Sequence, residues 1–146
     1  MKIAIGCDPN AEEAKQDIIK YIEKMSYGEV EDFGSTDPIY ANTAIKVAEA
    51  VAAKKFDRGI LICGTGIGVS IAANKVKGAY AALVSDVYSA QRCRLSNDCN
   101  IMCMGAFTSG SKNREQFVDE FLTKEFDKNS PSKPKIDAFV EYDNQR

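Results

Sequence analysis

Histidine is absent from the 146-residue sequence, and this absence narrows the chemistry that the chain can perform. It excludes Ser-His-Asp triads, histidine-ligated metal sites and acid–base catalysis by an imidazole. Any catalytic step must therefore use a thiol, carboxylate, hydroxyl, amine or backbone group. The five cysteines form no Cys-x-x-Cys pair of the zinc-binding type, so we expect free thiols.

Long apolar runs and an excess of one charge are also missing. No run approaches the ~18–20 residues that span a membrane. The net charge is −2, whereas a nucleic-acid binder usually carries a basic excess. The first ten residues, MKIAIGCDPN, turn polar after five and do not resemble a signal peptide. We therefore expect a cytosolic protein of about one domain that binds neither nucleic acid nor membrane.

Short apolar runs alternate along the chain with segments of helical periodicity. Strands are predicted at 2–7, 29–33, 58–63, 78–84 and 101–104, and helices at 11–25, 44–52, 69–75, 86–94 and 111–126. Asn10 is the predicted N-cap of the first helix. The alternation predicts an α/β fold, with helices on both faces of a mostly parallel sheet. Residues 1–126 form the predicted domain and 127–146 a C-terminal segment, in which 136–142 is either a terminal helix or an arm that docks elsewhere.

The glycine-rich segment CGTGIG, Cys63–Gly68, directly follows the buried-type strand RGILIC. Loops at the carboxyl ends of parallel strands meet at one edge of the sheet, where ligands bind. Three glycines allow the backbone to approach a ligand closely, and the start of a helix offers free N–H groups to an anion. This anion could be a phosphate or a developing enediolate oxygen. The glycine spacing fits neither a dinucleotide fingerprint nor a P-loop.

Cys63 stands at the mouth of this loop, where a thiolate could act as a nucleophile or as a proton-abstracting base. Free cysteines are also often small buried hydrophobic residues, and local reasoning leaves both interpretations open. Cys7 is a weaker candidate, whereas Cys93, Cys99 and Cys103 are typical of packing residues. A cysteine-dependent hydrolase or transferase is disfavoured, because no histidine is present to activate the thiol.

Several blocks carry a resemblance to a known family: MKIAIGCD at the start, KVAEAVA at 46–52, RGILICGTGIGVSIAANKVKG at 58–78, AALVSDVYSA at 81–90, and ND-C-N with MGA at 97–106. In these blocks the chain resembles the type B ribose-5-phosphate isomerase and galactose-6-phosphate isomerase family, over about residues 1–126. The resemblance implies a Rossmann-like α/β/α sandwich with a five-stranded parallel sheet and no metal or other cofactor. It also implies a homodimer or homotetramer with active sites at subunit interfaces.

The resemblance further implies that the chain interconverts an aldose and a ketose phosphate through an enediolate. In that reaction Cys63 is the base, the amides of Gly64–Gly68 hold the enediolate oxygen, and Thr65 assists at the sugar oxygens. The positions that match substrate-binding residues of the family are Asp8, Tyr40, Gly64, Gly66, Ile67, Gly68, Ser96, Asn97 and Lys135. Lys135 lies in the C-terminal segment, which is expected to dock on a partner subunit.

Some positions depart from the family pattern. Pro9, Ser85 and Ser96 stand where histidines are usual, and Phe107 stands where an arginine is usual. Lys135 replaces one arginine of the C-terminal stretch. The proton-transfer centre is therefore kept, while the groups expected to open the sugar ring and hold phosphate are changed.

These departures favour a substrate that needs no ring opening. A four-carbon sugar phosphorylated on its terminal hydroxyl cannot close a stable ring, so such a substrate would need no ring-opening histidine. Ribose 5-phosphate is the alternative, with ring opening by Thr65, Ser96 or water. A hexose phosphate and a non-catalytic subunit of a heteromeric isomerase are further alternatives.

Overall fold

A five-stranded, fully parallel sheet forms the centre of the computed structural model, which describes all 146 residues. Its strands are β1 (Lys2–Cys7), β2 (Glu29–Asp32), β3 (Arg58–Cys63), β4 (Ala81–Leu83) and β5 (Ile101–Gly105), arranged in the order β2-β1-β3-β5-β4. The helices are α1 (Glu12–Met25), α2 (Tyr40–Ala52), α3 (Ile67–Ala73), α4 (Val87–Leu95), α5 (Ser111–Thr123) and α6 (Lys133–Asn144). The predicted Rossmann-like α/β/α sandwich is confirmed.

Two hydrophobic cores cover the two faces of this sheet. On one face α1, α4 and α5 pack against alternate residues of β1, β3 and β5, including Ile5, Ile60 and Met102. On the other face α2 and α3 pack against the intervening residues, including Leu61 and Cys103. A strand buried on both faces reads as a continuous apolar run, which explains the sequence RGILIC of β3. None of the helices combines the length and apolarity that crossing a bilayer requires.

Two local predictions were wrong. Asn10 does not cap α1, because a 3-10 turn, Pro9–Ala11, already begins before it; the Asn10 side chain donates to Asp8 instead, at 3.3 Å. Proline suits the first position of such a turn, which moves the start of helical structure upstream. The strand predicted as buried at 78–84 is the shorter β4, a partly exposed edge strand.

The C-terminal segment forms α6, which packs beside β4 of its own chain. The Asp143 carboxylate accepts hydrogen bonds from the Gly78 N–H at 2.7 Å and from the Tyr80 hydroxyl at 3.0 Å. The Phe139 ring packs against Tyr80 at a centroid distance of 5.4 Å. Lys135 is exposed on this helix. Docking of the segment on a partner subunit stays a prediction.

Candidate active site

The loop after β3 lies in the middle of the carboxyl edge of the sheet. Cys63 ends β3, and its side chain, 6% exposed, belongs to the core on the α2 and α3 side. The Gly66 N–H donates a hydrogen bond to Cys63 Sγ at 3.1 Å. The bond fixes the sulfur against the loop.

Gly66 gives the loop its shape. Its φ is +80°, and a Cβ at this position would lie 2.6 Å from Leu83 Cδ1 and 2.8 Å from the Met104 carbonyl carbon. Both the backbone conformation and the available space therefore require glycine. The sharp turn lets α3 begin at Ile67, one residue later.

Several amides of this loop are free to bind an anion. The N–H groups of Thr65 and Gly68 donate to no other group of the chain, and Ile67 N–H donates to Thr65 Oγ1 at 3.3 Å. Free N–H groups of this kind are typical of the first turn of a helix. The loop therefore offers hydrogen-bond donors within a few residues of the thiol.

Tyr40 and Asp8 lie beside the loop, as predicted. Tyr40 opens α2, and its phenol ring sits against Gly68 so closely that a Cβ there would collide with it. Asp8 follows β1, and its N–H donates to the Ile62 carbonyl at 2.9 Å, which places it beside the end of β3. One chain therefore brings together Cys63, its loop, Tyr40 and Asp8.

Phe107 is a further neighbour of the loop that the sequence did not reveal. Its Cδ2 atom lies 2.9 Å from where a Cβ of Gly64 would stand, and its N–H donates to the Gly64 carbonyl at 3.0 Å. The ring is 72% exposed. In the sequence Phe107 appears only as a departure from the family pattern. Its closeness to the loop arises because β5 lies next to β3.

The other four thiols are poor candidates for a base. Burial raises the pKa of Cys7 to about 12, of Cys93 to about 11 and of Cys99 to about 12. Burial also raises the pKa of Cys103. Each is therefore a neutral thiol near pH 7, which agrees with the packing roles predicted for Cys93, Cys99 and Cys103.

Ser96 and Asn97 are not near Cys63 in the same chain. The helix α4 returns from the carboxyl edge to the amino edge, so Ser96 and Asn97 lie just before β5 begins. The six residues of β3 separate the two edges by roughly 16 Å, since each residue of a parallel strand adds about 3.3 Å. Binding of one substrate by all the predicted residues therefore requires a second copy of the chain.

Asn97 borders a cavity near the amino edge of the sheet. Asn97 lines a cavity of about 490 Å³ together with Tyr80 of the adjacent strand segment and Phe139 and Asp143 of α6. Ser96 Oγ accepts a hydrogen bond from Arg92 Nε at 2.6 Å. Lys135 lies on α6 and is not one of the residues that line this cavity.

The chain matches known proteins along nearly its whole length. The family model described as Ribose/Galactose Isomerase matches residues 3–139. The chain is similar to Ribose-5-P isomerase B of Listeria innocua, with 44% identity over 98% of this chain and 97% of the relative. It is also similar to D-erythrulose-4-phosphate isomerase 2 of Mycolicibacterium smegmatis, with 41% identity over 98% and 97%. The structure of ribose-5-phosphate isomerase B from Clostridium thermocellum matches with a TM-score of 0.92 and 38% identity, covering 99% of both chains.

Proposed function

The chain belongs to the ribose/galactose isomerase family and is a sugar-phosphate isomerase, and on this premise we propose that Cys63 is its catalytic base. The observation that carries the proposal is the hydrogen bond from Gly66 N–H to Cys63 Sγ at 3.1 Å. It holds the only thiol of this loop next to amides that have no other acceptor. The raised pKa values of the other thiols support the same choice.

The proposed reaction is a proton transfer between C1 and C2 of the sugar. The Cys63 thiolate removes the C2 proton of the aldose, and the electron pair moves through the C1–C2 bond onto the carbonyl oxygen. The enediolate oxygen accepts hydrogen bonds from amides of the Gly64–Gly68 loop, as in an oxyanion hole. A proton moves from the C2 hydroxyl to the C1 oxygen, with Thr65 assisting at the sugar oxygens, so that the negative charge passes to the C2 oxygen. Cys63 then returns its proton to C1, which forms the C2 carbonyl of the ketose.

The remaining loop neighbours are assigned to substrate binding. Asp8 accepts hydrogen bonds from sugar hydroxyls, because an ionised carboxylate is an acceptor with two oxygens. Tyr40, whose ring sits against Gly68, lines the same space. Ile67 contributes its backbone at the start of α3.

The proposed assembly is a cytosolic homodimer or homotetramer in which a second copy supplies Ser96, Asn97 and Lys135. Several exposed apolar side chains lie in the segments that follow the carboxyl ends of the strands. They are Ile39, Ile67, Ile71, Tyr88 and Phe107. An apolar patch of this kind marks an interaction surface, and a partner that covers it would also exclude water from the thiol.

We propose a four-carbon sugar phosphate or ribose 5-phosphate as the substrate. The lack of histidine favours the four-carbon sugar, which needs no ring opening, and the relative from Mycolicibacterium smegmatis carries the name of such an isomerase. The Listeria innocua relative, whose name is Ribose-5-P isomerase B, supports ribose 5-phosphate. The non-catalytic alternative is disfavoured, because Cys63 and the whole glycine loop are kept.

A turnover panel with a matched pair of variants tests the proposal. Four-, five- and six-carbon aldose and ketose phosphates are compared in wild type, in Cys63→Ala and in Cys7→Ala, which removes a buried thiol at the end of the neighbouring strand. Deuterium exchange from solvent into C2 follows the proton-transfer step directly. We expect Cys63→Ala to abolish exchange while circular dichroism shows an intact fold, and Cys7→Ala to keep it.

Each outcome of this panel has a distinct meaning. Full exchange in Cys63→Ala would overturn the assignment of the base. Faster turnover of ribose 5-phosphate than of erythrose 4-phosphate or erythrulose 4-phosphate would rule against the four-carbon sugar. No turnover of any of these by the wild type would favour a paired, non-catalytic subunit.

A further inference from the structure

Arg114 on α5 is a buried cation without a carboxylate partner. Its side chain is 9% exposed, and none of the chain's ion pairs involves it. The other buried arginines, Arg58 and Arg94, both pair with Glu125, at 2.8 Å and 3.3 Å. A buried charge without a counter-ion is strongly unfavourable. Unlike the other two buried arginines, Arg114 would therefore be stabilised by a bound anion.

The hydrogen bonds of Arg114 leave part of its guanidinium unused. One nitrogen, Nη1, donates to the Ser109 carbonyl oxygen, while Nε is buried without any partner. The third nitrogen, Nη2, makes no hydrogen bond in the chain and is not among the buried unpaired atoms. Nη2 is therefore the end of the guanidinium that a ligand can reach.

A cavity of about 340 Å³ lies next to this guanidinium, between α1 and α5. Lys20 and Lys24 line it from α1, and neither takes part in an ion pair. Ser111 lines it from α5 and is the first residue of that helix, which has no side-chain cap. Two lysines, an arginine, a hydroxyl and an uncapped helix start thus face one space.

The acidic side chains of this cavity do not neutralise the three cations. Glu115 lines it but already pairs with Lys112 at 3.2 Å. Asp17 is the remaining carboxylate, and it also lines a second cavity of about 260 Å³, which Arg114 borders together with Glu13 and Phe107. The cavity therefore keeps an excess of positive charge.

We propose that this cavity is a second binding site, separate from the Cys63 loop, for a phosphate group, either free or carried by a small organic molecule. Arginine offers a planar pair of donors that matches phosphate oxygens, and lysines add point charges that suit a dianion. The volume lies in the range of small-molecule pockets. The site goes beyond the isomerase activity, which uses no residue of this cavity.

The experiment is a titration of the full-length protein, followed through the backbone amide signals in NMR spectra at constant ionic strength. Inorganic phosphate is the first probe and glycerol phosphate the second, so that free and organic phosphate are compared. We expect saturable shifts at Ser111 and its neighbours that chloride does not reproduce. Arg114→Met is expected to weaken binding there on the order of tenfold or more, because it removes a charge-assisted hydrogen bond.

A double variant, with Lys20→Gln and Lys24→Gln in one chain, replaces Arg114→Met if that protein fails to fold. Both lysines are exposed, so we expect the double variant to fold. It should also weaken binding at Ser111. Lys124→Gln is the matched control, because Lys124 is a cation directly after α5 that lies outside the cavity, and it should bind like the wild type. Absence of shifts at Ser111, or shifts that the lysine variant leaves unchanged, would overturn the proposal. Signals of the Cys63 loop report separately on phosphate at the active site.

Discussion

Two independent constraints, the backbone conformation and the space available for a Cβ, require glycine at Gly66. A positive φ costs an L-residue with a side chain about 1–2 kcal/mol. At Gly66 the added Cβ would also meet Leu83 and the backbone of Met104. Gly34 provides the contrast, since it has a φ of +100° with no atom within 4 Å of an added Cβ. A comparison of the two positions therefore separates the free-energy cost of the backbone conformation from that of the steric clash.

We therefore expect Gly66→Ala to destabilise the protein more than Gly34→Ala does. Gly34→Ala should lower the free energy of unfolding by about 1–2 kcal/mol, from backbone strain alone. Gly66→Ala should lower it further and reduce turnover, because the loop must move away from Leu83 and Met104. Urea unfolding and steady-state rates measure both effects. Equal losses of stability in the two variants would contradict this reading of the loop.

The buried thiols predict how stability changes at high pH. Burial raises the pKa of Cys7 and Cys99 to about 12 and of Cys93 to about 11, from 9.0. Between the ordinary pKa of 9.0 and the raised values, the unfolded chain loses protons that the native state keeps, so the free energy of unfolding falls as pH rises. The contribution of these thiols is complete below pH 9 and lost by about pH 12.

The measurement is urea unfolding at several values of pH between 7 and 11, with Cys93→Ala as the comparison. We expect a decline above about pH 9 that is shallower in the variant, because one titrating group is gone. A wild-type stability that stays constant across this range would show that the thiols are not held in their neutral form.

At the residue scale, the sequence predicted the parts of the site that are continuous in the chain. Cys63 and its glycines follow a strand directly, so their position needs only local reasoning. Phe107 could not be placed in the same way, because its contact with Gly64 depends on β5 lying beside β3. Asn10 was assigned wrongly because Pro9 starts the helical turn before it.

At the scale of elements, the position of α6 depends on the segment that precedes β4. Asp143 near the end of α6 binds the Gly78 N–H and the Tyr80 hydroxyl, which lie just before β4. The sequence left 136–142 as either a helix or an arm, because the partner of Asp143 lies 65 residues away in the chain. The local pattern therefore decided neither that this segment is a helix nor where it docks.

Asp143→Ala should therefore release α6 from the edge of the sheet. The loss of a buried acceptor leaves its donors without partners, at a cost of about 1–3 kcal/mol. Amide hydrogen exchange should accelerate throughout α6 and at Gly78. Glu141→Ala, at an exposed position of the same helix without an ion pair, is the control and should change neither exchange nor stability. Unchanged exchange in Asp143→Ala would mean that apolar contacts alone hold the helix.

At the scale of the whole molecule, the chain carries two groups of predicted site residues at opposite edges of one sheet. Helices that return from the carboxyl edge to the amino edge are a consequence of parallel strands, so the separation follows from the topology. The alternation of strands and helices predicted the parallel sheet. The order β2-β1-β3-β5-β4 could not be read from the sequence, because it is fixed by contacts between distant segments.

Mixing of two inactive variants tests whether copies of the chain share a site. Cys63→Ala damages one group and Asn97→Ala the other, so a hybrid dimer should contain one intact site. We expect turnover to appear when the two proteins are mixed and allowed to exchange subunits. The variant with both substitutions in one chain should restore nothing to Cys63→Ala. Mixtures without activity, although hybrids form, would place the two groups in independent sites.

The ring of Phe107, exposed and in contact with the loop at Gly64, also offers a means of observation. The chain contains no tryptophan, so a Phe107→Trp protein would carry a single indole. Because the ring at 107 is 72% exposed, a larger aromatic group fits there without disturbing the core. Its fluorescence would report the arrival of substrate at the loop in real time, with no added label and no second indole.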